Sequence, residues 1–162
     1  MILPIIVALL GFAAPAAASA APQIVAASGR WAALRGDRSC EAATLGLLPA
    51  TRTRGAARAS LAFEPGRRRG EFAALLSRKA RDDAVMLTIG ETPFLLVARG
   101  NHAWSRGPVQ EAAIIAAIRA SGGMRLEARS VRGTRFVDRF DLAGAPTAID
   151  AAAACAAALV KR

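Results

Sequence analysis

Two cysteines, separated by 155 − 40 = 115 positions, place the strongest single limit on how this chain can fold. Cys40 stands in "RSCEAAT", near the start of the region rich in structure-forming residues. Cys155 stands in "DAAAACAAAL", inside an alanine-rich closing segment. If the two sulfurs are bonded, the beginning and end of the domain lie against each other, whatever the chain does between them. Whether they bond depends on compartment, because disulfides persist in oxidising spaces and are rare in the cytosol.

The N-terminus speaks to compartment. "MILPIIVALLGFAAPAAASA" contains no charged side chain, and Ile2 to Phe12 is a nearly continuous apolar run. "AASA" supplies small residues at Ala18 and Ala20, the pattern of a signal-peptidase site. The run is shorter than the ~20 apolar residues a bilayer-spanning helix needs. Residues 1–20 therefore read as a cleaved signal peptide and 21–29 as a flexible tail. One domain over 30–162 follows, with no transmembrane segment after cleavage. A retained N-terminal anchor is the alternative reading of the same run.

In an exported chain two cysteines most often form a structural disulfide. Two free thiols, or a reactive pair, remain the alternatives. Against reactivity, no CxxC motif exists and helical spacing turns Cys155 toward the body of the protein.

The hydrophobic pattern points to an antiparallel, strand-rich fold. Trp31, Ala33 and Arg35 alternate as in a strand. "ARASLAFEPGRRRGEFAALLSR" reads as a hairpin whose turn is "EPGRRRG". Val85, Leu87 and Ile89 alternate before a turn at Gly90, Phe94 to Val97 reads as a buried strand, and a short strand follows around Trp104. "GPVQEAAIIAAIRASGG" is a helix, with Pro108 in its first turn, Glu111 facing the positive end of the dipole and Gly122–Gly123 at its stop. A hairpin about Arg132–Gly133 follows, then a second helix after Pro146. The expected fold class is α+β or mainly β: an antiparallel sheet or sandwich with two packed helices, at about 108–121 and 146–160.

Charge is the remaining broad signal. Of 22 basic residues, all but Lys79 and Lys161 are arginine, against 12 acidic ones, giving a net charge of +10. Such a field attracts anionic partners, less strongly as salt rises. Arg67, Arg68 and Arg69 occupy the expected hairpin tip, and "RLEARSVRGTRFVDR" places arginines, Arg135 and Arg139 among them, along one face of the later hairpin. These five are the candidate residues for an anionic partner, since guanidinium groups bind phosphate and carboxylate in bidentate fashion. Keeping an alanine-rich domain dispersed in water is the plainer role for the same charges. Nucleic acid is a poor fit, because the chain is exported, contains no tyrosine and interleaves no aromatic platform with its arginines.

Catalytic and metal signatures are missing. His102 is the single histidine, and no further ligands stand at metal-binding spacing around it. There is no GxSxG nucleophile elbow and no glycine-rich phosphate loop. Asp138 and Asp141 read as solvated ion-pair partners of Arg135 and Arg139. No catalytic residue, metal site or cofactor is assigned.

The layout has a familiar form. "RWAALRGDRSCEAAT" sets a cysteine nine residues after a tryptophan; "VMLTIGETPF", the helix "AAIIAAIRASGGMRLEA" and the ending "FDLAGAPTAIDAAAAC" follow. Over most of residues 30–155 this resembles the invasion-associated locus B family of exported α-proteobacterial proteins. That resemblance implies a small exported β-rich protein, linked in pathogens to host-cell invasion, with no catalytic residues to carry across. The expectation is a non-enzymatic periplasmic or secreted protein that binds an anionic envelope component or a protein partner through an Arg-rich surface. A hydrolase acting on an envelope polymer, or a structural or chaperone-like periplasmic protein, are the alternatives.

Overall fold

The computed structural model describes residues 21–81 and 84–160. The segment 1–20, read above as the signal peptide, lies outside the described residues. Ten strands and two helices follow one another. β1 (Gln23–Ser28), β2 (Trp31–Arg35), β3 (Cys40–Leu45), β4 (Arg58–Glu64) and β5 (Arg68–Leu75) form a meander. β6 (Ala84–Ile89), β7 (Thr92–Arg99) and β8 (His102–Trp104) precede α1 (Pro108–Ala120). β9 (Gly123–Arg129), β10 (Arg135–Asp141) and α2 (Ala145–Leu159) complete the domain.

All strands join one antiparallel sheet in the order β1-β2-β3-β4-β5-β8-β7-β6-β9-β10. Of the two expected arrangements, a single sheet is the one found. It curls. The N–H of Leu47, just after β3, donates to the β10 carbonyl of Arg139 (2.8 Å), and the Trp31 indole Nε1–H donates to the carbonyl of Asp141 (2.9 Å).

Register gives the sheet one apolar face. Trp31 pairs with Thr44, Ala42 with Leu61, Leu61 with Phe72, Leu87 with Leu126 and Met124 with Phe140, so these side chains share the concave side. Both helices cover that side. α2 lies over β1 to β4 and α1 over β5, β6 and β7. α1 buries Ile114 and Ile118, while α2 buries Ala145, Ala148, Ile149, Ala152 and Ala156. Four of those five are alanines, which lets α2 approach the sheet closely.

Cys40 and Cys155 are joined by a disulfide that bolts the far end of α2 to β3. The helix-spacing argument holds in outline, although Cys155 sits beside the buried stripe and is half-exposed.

Three expectations change. The segment 21–29, read as a tail, contains β1: residues 23–28 pair with β2 from Gln23↔Arg35 to Ser28↔Trp31. "QIVAAS" has the β-branched residues for a strand, and as the last strand of the sheet it needs only one partner. Phe94 to Val97 is not uniformly buried: Leu96 faces the core whereas Leu95 is 41% exposed. Gly70 does not close a turn. It lies within β5 at φ +109°, beside a bulge at Ala62/Phe63, and a Cβ there would stand 2.4 Å from Ile115 Cδ1. Its missing side chain leaves room for Ile115 of α1.

Candidate functional site

The five arginines singled out by sequence fall into two separate places. Arg67 stands in the β4–β5 turn, while Arg68 and Arg69 belong to β5. Arg67 Nη1 lies 3.6 Å from Glu64 Oε1, and Arg68 Nε lies 3.2 Å from Glu71 Oε2 and 3.8 Å from Glu64 Oε2. Arg69 instead borders a groove with Phe63, Ala153 and Val160 at the end of α2. Three arginines against two glutamates leave this tip nearly balanced, with Arg68 and Glu64 lining the same groove as Arg69.

Arg135 and Arg139 converge with others. On the convex side of the sheet, β9 presents Arg125, Glu127 and Arg129, and β10 presents Arg135, Val137, Arg139 and Asp141. Register sets Arg139 directly across from Arg125, and Arg135 directly across from Arg129. Like charges directly opposite on an antiparallel pair are destabilising. One carboxylate moderates the repulsion: Glu127 takes Arg125 Nε at 3.0 Å on one oxygen and Arg135 Nη2 at 2.9 Å on the other. The hydrogen bond from Arg135, reinforced by Arg125, holds the Glu127 carboxyl below its usual pKa of 4.5. Arg129 Nη1 donates to the carbonyl of Gly133 (3.1 Å). Among the described residues the Arg139 guanidinium has no ion pair or hydrogen-bond partner, and it borders a hollow with Arg125 and Leu47. Asp141 lines the same hollow, with Oδ1 accepting from the N–H of Ala143 at 2.8 Å.

Asp138 is a correction. Read as a solvated ion-pair partner, it is 5% exposed on the concave face between Phe136 and Phe140, and its Oδ2 accepts the backbone N–H of Ser77 at 2.9 Å. The cause is the two-residue period of β10, which places 136, 138 and 140 together and 135, 137 and 139 opposite.

His102 is exposed on β8, across from Leu75 and Arg99. It shares a hollow of about 270 Å³ with Ser60 and Glu71. Glu71 sits four residues along β5 from Leu75, about 13 Å at strand rise. Within the described residues the imidazole makes no hydrogen bond or ion pair. The three side chains do not form a relay.

Elsewhere, Arg119 of α1 and Asp150 of α2 form an ion pair between the helices. Their hydrogen bond lowers the Asp150 carboxyl and raises the Arg119 guanidinium from their ordinary values. Among the described residues no helix is long and apolar enough to cross a membrane.

Arg125 and Arg129 lie in the same alternating stretch of sequence as Arg135 and Arg139, and only the strand register singles them out. A second basic locality, formed by Arg52, Arg78, Lys79 and Arg132, has no sequence signal because only tertiary folding assembles it. Compared with known proteins, the chain matches no family model, no curated protein and no solved structure.

Proposed function

We propose that this chain is an exported, non-enzymatic binding protein of the invasion-associated locus B type, working in the periplasm or beyond it. It engages an anionic envelope component, or an acidic protein surface, through the convex face of β9 and β10. One observation carries the reading: two directly opposed arginine pairs, Arg125–Arg139 and Arg129–Arg135, are held on an exposed face around a single glutamate. A fold that only needed solubility gains nothing from setting like charges opposite each other. An anion laid across them relieves that repulsion and pairs the free Arg139 guanidinium. Export is supported by the apolar leader and by a disulfide, which suits an oxidising compartment.

The test is retention on immobilised heparin and on lipopolysaccharide. Arg125→Ser/Arg135→Ser/Arg139→Ser should elute at markedly lower salt than the parent protein. Arg67→Ser/Arg68→Ser/Arg69→Ser, equal in charge removed, should shift elution less. Equal shifts for the two triples would reduce the effect to bulk charge and defeat the assignment of the face.

A further inference from the structure

Beyond the hairpin strands, three connections meet in a basic cavity of about 500 Å³. Arg52 comes from the β3–β4 connection, Ser77, Arg78 and Lys79 from the β5–β6 connection, and Ser130 and Arg132 from the β9–β10 turn. Thr53, Thr134 and Val131 complete the lining, and no described acidic residue belongs to it. None of the four cations is ion-paired among the described residues.

Backbone hydrogen bonds tie the three segments together. The N–H of Gly55 donates to the carbonyl of Ser77 (2.9 Å) and that of Val131 to Lys79 (3.2 Å), while that of Ser130 closes the β9–β10 turn on Thr134 (2.8 Å). An isolated bridge joins Ala80 to Ser130. The backbone that carries the donors is thus fixed before any ligand arrives, which lowers the ordering cost of binding.

Two polar atoms give the cavity a purpose. Ser77 is 7% exposed, and among the described residues its Oγ has no hydrogen-bond partner; Arg78 Nε is likewise buried and, among the same residues, unsatisfied. Buried polar groups are nearly always paired, because leaving them unpaired costs ~1–3 kcal/mol each. Here the serine's own backbone N–H is taken by Asp138 from the core side, so the hydroxyl is left to the cavity. A hydroxyl and a guanidinium N–H, ringed by further cations arriving from three directions, suit a tetrahedral oxyanion. A phosphomonoester offers three terminal oxygens and nearly two charges, more than a carboxylate can present to so many donors. The volume falls within the ~300–1,000 Å³ of small-molecule sites, which leaves space for a body attached to the phosphate.

We infer that this cavity binds a phosphomonoester carried on a body of monosaccharide size. Ser77 Oγ–H and Arg78 Nε–H donate to the phosphate oxygens, and Arg52, Lys79 and Arg132 balance its charge. The site shares no side chain with the β9–β10 face, so it stands or falls separately from the reading above.

The experiment is calorimetric titration of the oxidised full chain, at fixed ionic strength, with glucose 6-phosphate, inorganic phosphate and glucose. Vesicles of phosphatidylcholine with and without phosphatidic acid form a second arm. Saturable one-to-one binding of glucose 6-phosphate, with none of glucose, is the expected result. Stronger binding to phosphatidic acid vesicles than to the sugar phosphate would assign the same site to a lipid headgroup. Ser77→Ala should weaken binding about tenfold, the value of one hydrogen bond to a charged group. Arg132→Gln, at an exposed turn where folding is not at stake, should weaken it comparably, whereas Arg125→Ser/Arg139→Ser should leave it unchanged. The inference is overturned if no phosphate probe binds saturably, or if the Ser77 and Arg132 variants bind as the parent does.

Discussion

Replacing Cys40 and Cys155 by serine, or reducing them, opens a cross-link spanning 115 residues. In the chain-entropy treatment such a loop restricts the unfolded state by about 16 cal/mol/K, or ~5 kcal/mol at 25 °C. That is a ceiling, since native-state effects usually subtract from it. It can be set against the packing of α2. Four of the five buried positions on the helix are alanine. Burying a methyl group contributes ~0.8 kcal/mol, so the four together supply about 3 kcal/mol. The covalent clamp is therefore comparable with the helix's alanine packing, and α2 is the element that should loosen when the clamp is lost. Unfolding entropy near 2.1 cal/mol/K per residue gives roughly 0.3 kcal/mol/K for residues 21–162, so the Tm should fall by up to ~15 °C. Thermal unfolding followed by far-UV circular dichroism, with and without reductant and on the double-serine variant, measures the shift. Hydrogen exchange on peptides covering 145–159 locates it. A Tm change under ~3 °C with α2 still fully protected would show that packing alone holds the helix, and would refute the reasoning.

Four further outcomes follow from local geometry and charge. Gly144→Ala should destabilise by about 2–3 kcal/mol, because position 144 has φ +87° and a Cβ there would lie 1.9 Å from the carbonyl oxygen of Ser28. Gly122→Ala, which meets nothing within 4 Å, should change urea stability by less than ~0.5 kcal/mol. Trp31→Phe should cost about 1 kcal/mol through the lost hydrogen bond to Asp141, plus a cavity contribution, again read from urea unfolding. Glu127 has its pKa lowered below 4.5 in the folded state, so its stabilising contribution is complete above that value and is lost as pH falls through the folded pKa. Glu127→Gln should flatten the acid limb of stability against pH, and an NMR titration placing Glu127 at or above 4.5 would contradict the pairing.

Much of the fold was legible because its signals are local. Strand alternation, Pro108 and Pro146 at the helix starts, and glycines at the turns marked most elements within a few residues. The single curled sheet was not legible, because strand order depends on which edges meet across long connections. β1 was missed for a similar reason: "QIVAAS" is short and mostly exposed, and only its pairing with β2 makes it a strand. Gly70 resembled turn punctuation, since nothing in its neighbourhood reveals that Ile115 packs onto it. The opposed arginines could have been found by carrying the two-residue period through "RFVDRFD", which also sends Asp138 inward. The cavity around Ser77 could not, because its members come from segments near 52, 78 and 132 with no shared pattern. The disulfide lay between these extremes: compartment made it the favoured reading, and the fold shows why its long loop is practicable.

Residue-level mapping of an anionic ligand on the folded, oxidised protein tests the β9–β10 binding face directly. Amide and arginine side-chain NMR shifts should be followed while a heparin oligosaccharide is added at physiological salt. The largest changes should cluster on Arg125, Arg129, Arg135 and Arg139, with smaller changes at Arg67 and Arg68, whose charges Glu64 and Glu71 already engage. Changes spread evenly over every exposed arginine, or centred on the β4–β5 tip with β9 and β10 undisturbed, would contradict it.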